Sequence, residues 1–136
     1  MAVAVAVMQD MHEEVRTGIV PPEFATTDRI CQRWAVSVGT GLQSDKWQDG
    51  GKTPPPPLDD DTAIVVDQII LRCPESTKRV IVKWYRTNLP NTVIAQQLHL
   101  TPRTLETAWK LSLNFLQWKF VESRHKPLLA LLKFRD

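Results

Sequence analysis

The sequence predicts an all-α protein, a small helical bundle with a C-terminal helix-turn-helix. Three observations carry this expectation. Apolar residues recur every three or four positions in successive stretches, as in Ile30, Trp34 and Val38, in Val66, Ile70 and Cys73, and in Leu105, Trp109, Leu113 and Leu116; this is the period of one helix face. The stretches are bounded by residues suited to helix ends: threonine or aspartate before them, glycine or proline after them. Finally, 136 residues, 43% of them hydrophobic and 24% charged, suffice for one modest core but not for two sizeable domains. The expected organisation is an N-terminal arm over residues 1–25, a helical domain over 26–120 with the helix-turn-helix at 91–118, and a C-terminal tail or short helix over 121–136.

The arm opens "MAVAVAVMQD". It lacks the basic start of a secretory signal, its apolar run is short, and Asp10, Glu13 and Glu14 follow at once. Its alternating Ala and Val suit a short strand or a frayed helix equally. The first solid helix is "ATTDRICQRWAVSVGTG", with Thr26 or Thr27 as cap, Asp28 at the positive end of the helix dipole, and Gly39 and Gly41 as its stop. Residues 42–57 combine a glycine pair with four consecutive prolines, which cannot continue a helix. A surface connection is the plainer reading of them, and a docking segment for an aromatic-lined groove is the other.

Three adjacent carboxylates then open "LDDDTAIVVDQIILRCP". They invite a metal site, yet no Glu, His or Lys motif elsewhere completes one. A helix cap with an acidic first turn explains them more simply, with Ala63, Val66, Ile70 and Cys73, or Ile64 and Leu71, facing inward. The β-branched "AIVV" also suits a strand, but its spacing favours a helix. Pro74 begins the next helix, whose apolar side is Val80, Ile81, Trp84 and Tyr85. Lys78, Arg79, Lys83 and Arg86 fall outside, placed to touch phosphates or to stay hydrated.

Composition excludes several classes. No run approaches the ~18 apolar residues that a bilayer span requires, so no membrane partner is expected. Cys31 and Cys73 lie far apart, and with His12, His99 and His125 they supply no visible set of four zinc ligands. Neither a metal nor another cofactor is expected. No nucleophile and base pair or phosphate loop is visible, so the chain does not read as an enzyme. The net charge of +2 hides an asymmetry: residues 1–61 carry −5 and residues 62–136 carry +7. A basic C-terminal half suits a polyanionic partner, or simply a solvated face.

"NTVIAQQLHLTPRTLETAWK", residues 91–110, is where the local signals converge. Asn91 or Thr92 caps a short helix with Val93 or Ile94, Ala95 and Leu98 inward and Gln96 and Gln97 outward. The bend falls at His99-Leu100, where many such motifs have glycine, so His99 must accept an unusual backbone angle or a looser turn. Thr101 caps the second helix, Pro102 takes its first position, and Leu105, Ala108, Trp109, Leu113 and Leu116 form its buried side. In a DNA-binding helix-turn-helix the first residues of the second helix meet base edges in the major groove. Here these are Arg103, Thr104, Thr107 and Lys110, with Glu106 beside them. Arg pairs with guanine, Thr meets a thymine methyl, and Lys reaches a phosphate or a guanine. An αα-corner that touches no nucleic acid is the competing reading.

"RICQRWAVSV", "LDDDTAIVVDQIILRC" and "VIVKWYRTNLPNTVIAQQLHLTPRTLETAWKLSLNFL" together resemble the phage antitermination protein Q family, in its smaller lambdoid form without a zinc ribbon, over about residues 28 to 118. The resemblance lies in the order of parts: a Trp-containing first helix, a loop, "DDD" opening the next helix, an aromatic "WY", then the helix-turn-helix. That last part is shared with sigma factors, so the resemblance implies a domain like the one with which a sigma factor reads a promoter. It further implies a late-gene transcription antiterminator, a protein that binds double-stranded DNA near a phage late promoter. Such a protein loads onto bacterial RNA polymerase paused just downstream, with sigma factor and nascent RNA in the same complex. It then narrows or extends the RNA exit channel, so that pauses and terminators are ignored. The implied setting is the cytoplasm of the bacterial host. The positions matching the family's DNA-reading residues are Arg103, Thr104, Thr107 and Lys110. The acidic N-terminal half, the proline-rich loop and "RHKPLLALLKFRD" are left to face polymerase. The first 24 residues and the tail beyond Lys119 have no counterpart in the family. Trp118, Phe120, Leu128, Leu129, Leu131, Leu132 and Phe134 are expected to close the core, the other reading being an exposed apolar surface for a partner. Two further readings of the motif stand beside this one: a DNA-binding regulator that never travels with polymerase, and a phage terminase small subunit.

Overall fold

A computed structural model describes residues 20–38 and 55–133 of the chain. Among these residues the structure is helical, with no strand. A 3-10 turn, Pro22–Phe24, leads into α1 (Ala25–Ser37), followed by α2 (Asp60–Leu71), α3 (Glu75–Arg86), α4 (Asn91–Gln97), α5 (Pro102–Glu122) and α6 (Lys126–Lys133). The all-α helical bundle expected from the sequence is what forms. Most of the arm, the Gly39 and Gly41 stop, the greater part of the proline-rich connection, and Phe134 lie outside the described residues.

The longest helix, α5, is the hub. It packs against every other helix and the 3-10 turn, because Leu105, Trp109, Leu113, Leu116 and Phe120 line one side of it and are each 0% exposed. Burying such side chains contributes about 1.5–3 kcal/mol apiece relative to solvent, so this side fixes where α5 lies. From α3, Val80, Ile81, Trp84 and Tyr85 meet it as the spacing predicts, all buried. The Trp84 and Trp109 rings stack with centroids 4.1 Å apart and planes 11° from parallel. In α2 Val66 and Ile70 face the core, as does Cys73 just past its end, whereas Ile64 and Leu71 are more than half exposed. The first of the two faces offered by the sequence is therefore the buried one. Tertiary packing, not β-branching, decides the conformation of "AIVV".

The helix ends show two corrections. Neither Asn91 nor Thr92 caps α4: the helix starts at Asn91 with Pro90 in the cap position, and no side chain bonds its first turn as a cap. Neither Thr26 nor Thr27 caps α1: the helix starts at Ala25, and Phe24 in the cap position makes no side-chain bond. The two prolines explain this, since a 3-10 turn closed by Phe24 N–H donating to the Pro21 carbonyl at 2.9 Å precedes the helix. Thr27 is instead buried and donates to Gln117 Oε1 of α5 at 2.9 Å. The Asp59 cap of α2 forms as expected, its Oδ1 accepting from Thr62 N–H at 2.8 Å, and this bond holds the carboxyl below its ordinary pKa. The last prolines of the connection are tied down, with Arg33 Nε and Nη2 donating to the Pro56 and Pro57 carbonyls at 3.2 and 3.1 Å. At the C-terminal end, α6 packs on α1 and α5 and buries Leu128 completely, so the short helix belongs to the same core. Phe120 is buried as expected, whereas Trp118, two positions earlier and on the opposite side of α5, is exposed.

Candidate nucleic-acid interface

α4 and α5 are joined by four residues, Leu98 to Thr101, in a connection that uses a left-handed residue. His99 has φ of 60°. Leu100 N–H donates to the Ala95 carbonyl at 2.8 Å and His99 N–H to the Gln96 carbonyl at 3.1 Å, the pair of bonds that closes a helix with a left-handed residue after its cap. Of the two options the sequence left for His99, the strained backbone angle is the one taken. Ala95 is 1% exposed and Ile94 is buried beside it, while Gln96 and Gln97 face solvent. This fixes the short helix against the long one.

The start of α5 is closed by a reciprocal pair of threonines. Thr101 Oγ1 accepts from Thr104 N–H at 3.1 Å, and Thr104 Oγ1 accepts from Thr101 N–H at 2.8 Å. Two backbone donors that the helix cannot use are thereby satisfied. Pro102, the first helical residue, lacks the third. The same bonds commit the Thr104 hydroxyl, which leaves its methyl group as the part available to a partner.

Of the residues singled out from the sequence, Arg103, Thr104 and Thr107 are exposed on the first two turns of α5. Thr107 Oγ1 donates to the Arg103 carbonyl at 3.3 Å. Lys110 is partly exposed and sits 2.9 Å from Glu106 Oε2 one turn back, so its charge is shared within the helix. On α3, Arg79 is exposed and borders a groove of about 480 Å³ with Val80, Leu98, Leu100, Ala108 and Leu111. Lys83 is half-buried. Arg86 is engaged elsewhere: its guanidinium carbon lies 5.7 Å from the centre of the Trp34 ring of α1, and its Nε is buried without a hydrogen-bond partner. Lys78 lies 3.2 Å from Glu75 Oε1 in the first turn, so the four α3 cations divide into one paired within the helix, one exposed, one half-covered and one spent on an aromatic face.

Behind this surface runs a buried polar chain. Trp109 Nε1 of α5 donates to Tyr85 Oη of α3 at 2.9 Å. Tyr85 Oη donates to Asp28 Oδ1 of α1 at 2.5 Å, and Gln32 Nε2 donates to Asp28 Oδ2 at 2.8 Å. Three helices are pinned at one point, which sets the rotation of α5 about its axis and hence the direction in which Arg103 and Thr107 point. Burial pushes the Asp28 carboxyl up to about 6, against the lowering effect of its Tyr85 and Gln32 bonds. The Tyr85 hydroxyl and the Cys31 thiol are raised by the same loss of solvent. Sequence reasoning assigned Asp28 to the helix dipole and missed this role. The available signal was that a buried Tyr and a buried Trp each need a partner for O–H and N–H.

Among the described residues no cluster of three or more His, Cys, Asp or Glu side chains is arranged to hold a metal, and no helix is long and apolar enough to cross a membrane. Comparison of the chain with protein-family models, with curated proteins and with solved structures finds no match.

Proposed function

We propose that the chain is a DNA-binding transcription factor of the antitermination type. In this reading the leading turns of α5 enter the major groove of a DNA element near a phage late promoter. Arg103 pairs with a guanine edge, Thr104 and Thr107 present their methyl groups to neighbouring bases, and Lys110 with Arg79 and Lys83 approaches the phosphates. The protein then loads onto bacterial RNA polymerase paused nearby and travels with it in the host cytoplasm. It suppresses pausing and termination by narrowing the RNA exit channel, in a complex that includes sigma factor at loading and the nascent RNA afterwards.

The observation that carries the DNA-binding half of this reading is the sidedness of α5. Arg103, Thr104 and Thr107 are exposed on a helix whose other side is sealed in the core. Had these residues been shielded, the proposal would have lost its contact surface. The excess of positive charge over residues 62–136 supports the same polyanionic partner. The polymerase half rests on the order of sequence parts that resembles the antitermination protein Q family.

The test is transcription reconstituted from purified bacterial RNA polymerase on two templates, with and without the phage late-promoter region ahead of an intrinsic terminator. Readthrough is expected on the first template alone, with the chain still bound to polymerase that has left the promoter. Readthrough equal on both templates, or absent from both, refutes the proposal. Readthrough lost while DNA binding persists assigns the chain to regulators that stay at their site.

A further inference from the structure

The outward side of α5 beyond its first turns is used neither by the core nor by the DNA reading proposed above. Leu111, Asn114, Trp118 and Val121 follow one another at spacings of three, four and three residues, and all four are exposed. Leu111 keeps 65% of its surface in solvent, Trp118 63% and Val121 46%. This alternation is the heptad rhythm that keeps one line of side chains turned toward a partner helix. A helix that serves only its own core carries one apolar stripe, and α5 already buries that stripe through Leu105, Trp109, Leu113, Leu116 and Phe120. The exposed line is a second one.

Three features select the occupant. Asn114 interrupts an otherwise apolar seam, and a lone asparagine at such a position specifies register between like helices at some loss of stability. Its amide carries donors and an acceptor, so across a two-fold axis it satisfies its own copy. The charge pattern is also self-compatible. Of the cations bordering the seam, Lys110 lies 2.9 Å from Glu106 Oε2 and Lys119 lies 3.4 Å from Glu122 Oε1. With each of these cations paired within its own helix, two copies meet without net repulsion. The area fits a modest association. A tryptophan contributes on the order of 150–250 Å² when buried, and with Leu111 and Val121 the seam offers roughly 400 Å² per copy, about half of a standard interface side. Such a pair forms reversibly and at high concentration.

We propose that a second copy of this chain pairs with the first along Leu111, Asn114, Trp118 and Val121, forming a two-fold symmetric dimer with Asn114 facing Asn114 at the axis. Thr104 and Thr107 lie on the same line, two turns and one turn ahead of Leu111, so a paired copy stands beside the reading turns and pairing competes with entry into the groove.

Sedimentation equilibrium of the full chain, without DNA or polymerase and up to about 1 mM, reads the proposal independently of the proposed function. A reversible monomer–dimer equilibrium is expected. Trp118→Glu should weaken it by at least ~10-fold with an unchanged far-ultraviolet circular dichroism spectrum, because the side chain lies outside the core. Asn114→Leu should tighten self-association and admit assemblies larger than two. A monomeric mass throughout the range overturns the proposal, as does a ring-sized assembly or a dimer indifferent to Trp118→Glu. A chain that stays monomeric while Trp118→Glu abolishes binding to polymerase also overturns it, and gives the face to polymerase.

Discussion

Replacing Asp28 by asparagine removes a carboxylate from the centre of the fold and leaves an acceptor for the Tyr85 hydroxyl. Burial carries the carboxyl from the ordinary 3.8 to about 6, which at about 1.4 kcal/mol per tenfold corresponds to about 3 kcal/mol. The sign follows from linkage. A raised carboxyl pKa means that the folded chain holds its proton at a pH where the unfolded chain has released it, so the stabilisation is complete below about pH 4. It is lost as the pH rises through about 6. Above that the fold carries the full cost of a buried charge. The asparagine variant has no such group, and Gln32 Oε1, which is buried without a partner, can accept from the new amide once the Gln32 amide turns over. Urea unfolding of both proteins from pH 4 to pH 8, followed by tryptophan fluorescence, supplies the difference in stability and cancels every other titrating group. We expect wild type and variant to converge at neutral pH or the variant to lead by up to about 3 kcal/mol, with the wild type gaining on it as the pH falls to 4. A difference independent of pH refutes the reasoning. It would mean that the bonds from Tyr85 and Gln32 hold the carboxylate fully ionised.

Four further outcomes bear on α5, its entry and the α3 cation behind it. His99→Gly places the freest residue at φ 60°; relief of about 1–2 kcal/mol of left-handed strain, less about 0.4–1 kcal/mol of added unfolded-state entropy, leaves a gain of up to about 1.6 kcal/mol, measurable in the same urea titration. Thr101→Ala opens the reciprocal cap and should cost about 1 kcal/mol by thermal unfolding. Arg103→Ala should lose about 1–3 kcal/mol of binding at the promoter-proximal DNA element and little on random duplex by gel shift. Arg86→Ala should leave both affinities unchanged and lower the melting temperature, since Arg86 is spent on the Trp34 ring.

Where one helix face alone decides the outcome, the sequence suffices. Val80, Ile81, Trp84 and Tyr85, and Leu105, Trp109, Leu113 and Leu116, are buried as their spacing requires, because a 3.6-residue period leaves one side for the core. The end of α4 was legible as a bend at His99-Leu100 for a related reason: polar Gln96 and Gln97 give way to Leu100, and Thr101-Pro102 can start a helix but not continue one. What stayed hidden needs a partner from elsewhere in the chain. Thr27 looks like a cap until Gln117, ninety positions on, accepts its hydroxyl. Asp28 suits a helix dipole until Tyr85 and Trp109 arrive behind it. Arg86 looks like one more exposed cation until Trp34 lies beneath it. In the candidate interface, exposure of Arg103 and Thr107 was readable from the face opposite Leu105 and Trp109, whereas the loss of the Thr104 hydroxyl to the cap was not, since the usual partner at that position is Glu or Gln.

These cases share one consequence for the DNA reading proposed for α5. A reading helix must present a chosen side with little rotational freedom, because a side chain displaced by about 1 Å no longer meets a base edge within hydrogen-bond reach. Apolar packing alone tolerates rotation, since Leu and Trp accept neighbours on several sides. Directional bonds do not. The Trp109 to Tyr85 to Asp28 chain and the Thr27 to Gln117 bond fix α5 to α3 and α1 at two points separated by eight residues, or about 12 Å of helix. Two directional fixings on one rod remove rotation as well as translation. The buried charge at Asp28 destabilises the fold, and what it contributes in return is the heading of Arg103 and Thr107. On this account Asp28→Asn retains that heading through its remaining acceptor, while Tyr85→Phe, which severs the chain at its middle, should weaken DNA binding more than its loss of stability explains.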